Sequence, residues 1–336
     1  MLKKLNPFQL ILVFIISTFF APHGAEINVE KQHISVEKKC SASPFITQKD
    51  GNYCYLINHS DELKEVIKVW GIAPPASLED INAVLQDKFL RPSGSERFVL
   101  KDDASAEALK EKLYASFTKL HTIGDLKPNA KSYDIILIYG ASLGGMRLRV
   151  HFLNQLWREG LRASKVVFLT GQRRLDPTTE GKEALYKSDS IPFVAGWVHP
   201  KREIKNETDA AQLVWDQVIT EPDLKERVSY ISVASVFDFA THEERRANTA
   251  DTIKAWIAIS REKEPLRCLA ISSNPFIGYQ HATIVVQFMK ADLFSKGFSV
   301  ETIGPGPLGE LPLSTQMDNL ARWFYTEFKS LYSPKK

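Results

Sequence analysis

The sequence predicts an α/β protein: a Rossmann-like, doubly wound, mostly parallel five-stranded sheet with an added N-terminal helical region. Two observations lead there. Five short, continuous apolar runs, at 134–139, 165–169, 230–236, 267–271 and 298–303, have the composition of strands covered on both faces. Stretches with helical character separate them, at 147–159, 209–219, 247–260 and 279–290, and a last helix is expected at 317–331. Repeated strand–helix–strand units imply right-handed crossovers.

Before the first strand the reading is helical. Ser60 or Asp61 caps a helix through Trp70, Ser77 precedes a second helix to about Phe89, and Asp103 precedes a third from Ala104 to Leu120. The third carries apolar residues at Leu109, Leu113, Phe117 and Leu120, and 125–131 reads as a linker. The expected organisation is therefore a signal segment at 1–25, a mainly helical region at 26–130 and the α/β domain at 131–336. Inside that domain the connection at 172–206 is too long for a simple crossover and reads as an insertion, functional or lid-like.

Residues 1–25 have the make-up of an export signal. Lys3 and Lys4 precede the uncharged run Phe8 to Ala21, which is shorter than the roughly 20 residues a spanning helix needs. His23 stands where a small residue favours cleavage, so an uncleaved anchor remains open, and only that segment would then touch a membrane. Cys40 and Cys54 flank a polar, turn-rich stretch and suit a small disulfide loop in an oxidising compartment; Cys268 lies in an apolar run and reads as a small buried hydrophobe. Net charge is +3, of which Lys3 and Lys4 supply two, leaving +1 beyond residue 25. A chain so near neutrality has no general field for nucleic acid, and any anion site must be local. No Cys/His spacing suggests zinc.

Open parallel sheets bind ligands outside the carboxyl ends of their strands, so the residues after each strand are the candidates. The first strand runs into Gly140-Ala-Ser142-Leu-Gly144-Gly145 and then Arg147 and Arg149. Glycines permit close approach, the following helix offers N–H groups, and an arginine can grip an anion with two bonds. The same stretch fits G-x-S-x-G, with Ser142 as a hydrolase nucleophile. Bases for it exist in His199, His242 and His281, with Asp238 as an orienting group, but no oxyanion segment is visible. The second strand ends Thr170-Gly171-Gln172-Arg173-Arg174, which combines a close-approach turn with positive charge. Glu207 opens the next helix, either as a dipole partner or as an acid/base group. Asn248 and Thr249 open another, where capping alone accounts for them. Ser272, Ser273 and Asn274 follow the fourth strand and place short polar groups at the expected site, and Gly304-Pro-Gly-Pro307 closes the fifth.

Taken in order, these segments resemble the SanA/YdcF-like family of uncharacterised function. DIILIYGASLGGMRLRV, LWREG at 156–160, FLTGQ, Glu207-Thr-Asp-Ala210, Asn248-Thr249 and the segment from Ile271 to Gln280 carry the resemblance, over about residues 133–305. It implies a Rossmann-like fold and a place in the bacterial cell envelope. The family's His falls on Phe276 and its Arg on Tyr279, so an anion would be held by other groups, such as Arg173 or Arg174.

Three functions follow as expectations. The first is an exported, envelope-associated protein that binds a polar or anionic small molecule, nucleotide-like or lipid-linked, or an envelope-biogenesis enzyme using Glu207. The second is a serine hydrolase using Ser142. The third is a non-catalytic envelope or secreted interaction protein. No cofactor is identified.

Overall fold

The computed structural model describes residues 40–47, 53–92, 100–238, 242–260 and 264–332. The expected export segment at 1–25 lies outside them. Among the described residues no helix is long and apolar enough to cross a membrane.

In chain order the elements begin with β1 (Cys40–Ala42), β2 (Ile46–Thr47), α1 (Tyr55–Asn58), α2 (Ser60–Val69), α3 (Leu78–Lys88), α4 (Ala104–Glu107), α5 (Lys110–Lys119) and β3 (Asp125–Lys127). Then follow β4 (Ser132–Tyr139), α6 (Leu143–Arg158), β5 (Arg162–Gly171), α7 (Lys182–Tyr186), α8 (Glu207–Val218), α9 (Pro222–Lys225) and β6 (Val228–Val233). A hairpin, β7 (Val236–Asp238) and β8 (Glu243–Arg245), leads to α10 (Thr249–Ser260), β9 (Arg267–Ile271), α11 (Ile277–Lys290), β10 (Ser299–Ile303) and α12 (Leu313–Glu327).

Among the described residues the main sheet has six strands, in the order β2-β10-β9-β4-β5-β6. All five expected strands are present and mutually parallel, and their order is that of a doubly wound Rossmann-like sheet. The order reverses between β4 and β9. The expected count of five is corrected to six, because β2 adds an antiparallel edge to β10. His281 fixes that edge: its ring nitrogens bond Thr47 at 2.9 Å and Thr302 at 2.8 Å. Burial pulls this histidine's pKa down to about 3, so it stays neutral. The stretch 125–131, read as a linker, contains β3, which pairs in parallel with β1.

Alternate residues of β4 serve two cores. Ile135, Leu137 and Tyr139 join α10, α11 and α12, while Ile136 and Ile138 join α6 and α8. Burying each large aliphatic or aromatic side chain is worth about 1.5–3 kcal/mol. The N-terminal helices belong to the first core. Trp323 of α12 stacks on Tyr55 with centroids 5.7 Å apart and meets Phe45 edge-on at 5.5 Å. Ser77 and Asp80 form a reciprocal capping box at the start of α3. The helix expected from Ala104 to Leu120 is broken at Ala108–Leu109 into α4 and α5, although Asp103 caps it as anticipated.

Cys268 is fully buried, as its apolar setting implies. The expected Cys40–Cys54 disulfide is not formed, and Cys54 is a free thiol. Cys40 opens a strand registered on Asp125, whereas Cys54 leads into α1 near Glu327; sequence proximity did not bring the two together.

Candidate functional site

The carboxyl ends of β4, β5 and β6 gather three glycine-dependent or charged features around one carboxylate. Glu207 stands at the start of α8, after Asn206, whose side chain caps that helix by accepting from Asp209 N at 3.0 Å. This places the half-buried Glu207 side chain between two strand ends. Its Oε2 accepts the Gly171 N–H at 3.0 Å. Its Oε1 lies over Gly140, where a Cβ would come within 2.6 Å of it, so a side chain at 140 would push the carboxyl from this position. Oε1 makes no hydrogen bond among the described residues. Burial raises the Glu207 carboxyl above the usual range, against the opposing pull of Arg173, the Gly171 N–H and Arg246. A carboxyl so placed is suited to accept or deliver a proton.

A hydroxyl chain lies beneath it. Thr170 and Thr208 meet at 2.8 Å, Thr208 and Ser232 at 2.7 Å, and Thr208 donates to the Gly171 carbonyl at 3.2 Å. The Gly171 peptide is thus held by both of its neighbours on α8, Glu207 at the N–H and Thr208 at the carbonyl. Thr170 acts within the wall rather than at its surface, being fully buried.

The N-terminus of α6, the expected anion position, holds a carboxylate from the protein itself. Glu180, in the inserted segment, accepts from Leu143 N at 2.9 Å, from Asp176 N at 2.9 Å and from both terminal nitrogens of Arg173 at 2.5 and 2.8 Å. Burial pushes the Glu180 carboxyl up, but Arg173 and the two N–H groups outweigh it and hold the group below its ordinary range. Nothing in the local sequence marks Glu180; its role depends on the insertion folding back over the first strand–helix turn. Arg173 was anticipated as an anion holder, and it grips this carboxylate. Arg174 contributes through its backbone, bridging Asn206 and accepting from Arg173 Nη1 at 3.1 Å.

Two of the expected arginines are used elsewhere. Arg147 turns into the insertion: it donates to the carbonyls of Ala184, Leu185 and Lys187 and to Gln217, and lies 5.0 Å from the Phe193 ring. Arg147 is therefore the anchor of the 172–206 segment, and burial lowers its pKa to about 10. Arg149 fills the crevice where the strand order reverses, donating to the carbonyls of Tyr139 and Gly140 and to Ser273 Oγ. Both sit on buried faces of α6, with 5% and 2% exposure.

Asn248 and Asp251 cap α10 reciprocally, at 3.2 and 2.9 Å, and the Ala247 carbonyl beside them faces Gly171. Thr249 is the first residue of α10, and its carbonyl accepts from Thr252. Ser272 is bonded to Gln280, and Asn274 reaches Gly124, so the residues after β9 form a separate corner, which Arg149 joins to the end of β4 through Ser273. Ser142 precedes α6 without capping it, and no histidine bonds it among the described residues. His281 is committed to Thr47 and Thr302, and His199 stacks on Tyr186 with centroids 4.3 Å apart. The nucleophile–base pair that a serine hydrolase needs is absent from these contacts.

Among the described residues no three His, Cys, Asp or Glu side chains are grouped to hold a metal ion. A surface groove of about 310 Å³ lies away from Glu207, between β3 and α6, lined by Lys127, Gln155, Arg158 and Glu159 among others. Comparison of the chain with protein-family models and with curated proteins finds no match.

Proposed function

We propose that this α/β domain binds a polar small molecule bearing an anionic group at the carboxyl ends of β4, β5 and β6. In this reading it is an exported, cell-envelope protein of the SanA/YdcF-like type. The observation that carries the binding site is the Glu207 carboxyl: raised by burial, held on one oxygen by Gly171 and, among the described residues, without a hydrogen bond on the other over Gly140. A group poised in this way accepts a hydroxyl or N–H of a ligand, or its proton. Arg173 and Arg246 bring positive charge to Glu207; the first turn of α6 and Arg173 hold the Glu180 carboxylate, so a ligand carboxylate or phosphate takes that place by displacing it. Candidates of the right chemistry are nucleotides, nucleotide sugars and lipid-linked phosphates. Export rests on the leader sequence.

The test is thermal unfolding of wild type and Glu207→Gln with nucleotides, nucleotide sugars and soluble prenyl phosphates. A ligand at a hundredfold excess over its Kd adds about 2.7 kcal/mol. A midpoint shift in the wild type that shrinks in Glu207→Gln is the expected result. An equal shift in both proteins places the ligand elsewhere, and no shift with any compound rejects the ligand class.

A further inference from the structure

A second polar cluster lies at the carboxyl ends of β9 and β10. Asn274 follows β9, and Gln316 and Asn319 stand one turn apart on one face of α12. Their exposures are 3%, 5% and 0%. Asn319 Nδ2 donates at 2.8 Å to the carbonyl of Pro275, the residue after Asn274, which brings α12 onto this loop. Asn274 Nδ2 donates at 2.7 Å to the carbonyl of Gly124. Both partners are backbone carbonyls and can only accept. The orientations of the Asn274 and Asn319 amides are therefore fixed by chemistry, NH2 ends toward the carbonyls and oxygens away.

The result is a set of stranded acceptors. Asn274 Oδ1, Asn319 Oδ1 and Gln316 Oε1 have no hydrogen-bond partner among the described residues. Each such atom costs about 1–3 kcal/mol when buried without a partner. Asn319 is joined to the residue after Asn274 and Gln316 lies one turn away on α12, so the three acceptors are grouped on adjoining segments, and buried acceptors of this kind call for an ordered water or an ion.

The chemistry of that partner follows from the lining. Oxygen acceptors repel an anion. Asp125, next to Gly124 and bonded to Gly306 N at 2.7 Å, adds negative charge, while Asp318 of α12 is compensated by Arg91 and Arg322. A divalent ion is ordinarily held by carboxylates that meet it directly. Neutral carbonyl-type oxygens instead replace the hydration shell of a monovalent ion. We infer that Asn274, Gln316 and Asn319 form a site for a compact monovalent cation, an alkali-metal or ammonium ion, which ties the loop after β9 to α12. This site is independent of the Glu207 reading.

Equilibrium dialysis of the full chain with rubidium tests it, with sodium, potassium and ammonium as competitors and choline as the ionic-strength control. Saturable rubidium uptake is expected, displaced by the compact cations and not by choline. Gln316→Met and Asn319→Leu should each weaken it about tenfold or more, which is about 1.4 kcal/mol. The wild-type thermal midpoint should be higher in the chloride of the favoured cation than in choline chloride at matched ionic strength. Competition separates the sources: ammonium acting alone identifies an amine-type ligand, and potassium or sodium an inorganic one. Absence of saturable uptake by wild type, or uptake unchanged in both folded variants, overturns the proposal; the wild-type arm decides if a variant fails to fold.

Discussion

Glu207 Oε1 and the Cα of Gly140 face each other so closely that a Cβ on residue 140 would stand 2.6 Å from the oxygen. The carboxyl therefore depends on a hydrogen atom in the strand–helix turn for its position. It also depends on Gly171, whose N–H it accepts.

Gly140→Ala is expected to displace Glu207 and to destabilise the fold by about 1–3 kcal/mol, the usual penalty for forced overpacking. The added cost should be smaller in a Glu207→Ala background, because the obstructing carboxylate is gone. A double-mutant cycle by chemical denaturation measures the coupling. Additive effects would mean that the two residues do not constrain each other.

Glu180→Gln should loosen the insertion. The Glu180 and Arg173 side chains are 3% and 14% exposed, and removing one partner of such a pair leaves the other uncompensated at about 3–5 kcal/mol. The Glu180 carboxyl is held below its ordinary range, so its contribution is present above the unfolded-state pKa and is lost as pH falls through the lower folded value. Limited proteolysis should then cut the variant within 172–206 faster than wild type. Resistance equal to wild type would show that Arg147 alone secures the segment.

Glu327 gives the opposite pH dependence. It is fully buried at the end of α12, accepts from Ile57 N at 3.0 Å and Trp323 Nε1 at 2.6 Å, and burial raises its pKa from 4.5 to about 7. The folded state binds this proton more tightly than the unfolded state. Its contribution is complete below pH 4.5 and declines as pH rises through about 7, by roughly 3 kcal/mol in all. The difference in unfolding free energy between wild type and Glu327→Gln should track that window. A difference independent of pH would show an unshifted carboxyl.

Cys54 should behave as a slow thiol. Burial, then Glu327, push its pKa up to about 11, so little thiolate exists near neutral pH. Maleimide labelling should be slow in the folded protein and fast after denaturation. Rapid labelling at residue 54 in the native state would contradict the packing described.

Much of the sheet is legible in the sequence because strands buried on both faces must be apolar throughout, as 134–139 and 267–271 are. β2 is not, since Ile46 and Thr47 gain strand character only from pairing with Val300 and Glu301. The site was legible in part. Position after a strand located Gly140, Gly171 and Arg173, and the start of a helix located Glu207. Arg147 and Arg149 misled because a charged residue usually marks a wet helix face, whereas these two are buried among carbonyls. Glu180, Gln316 and Asn319 carry no local signal at all; their partners lie far along the chain.

The most direct measurement is a carboxyl carbon-13 NMR titration of the folded protein labelled at glutamate, with Glu207→Gln to assign the resonance. A Glu207 midpoint clearly above the ordinary glutamate range is the predicted result, as expected for a half-buried carboxyl poised at the strand ends. A midpoint at or below that range would make Glu207 a plain dipole partner of α8 and remove the basis for a ligand site there.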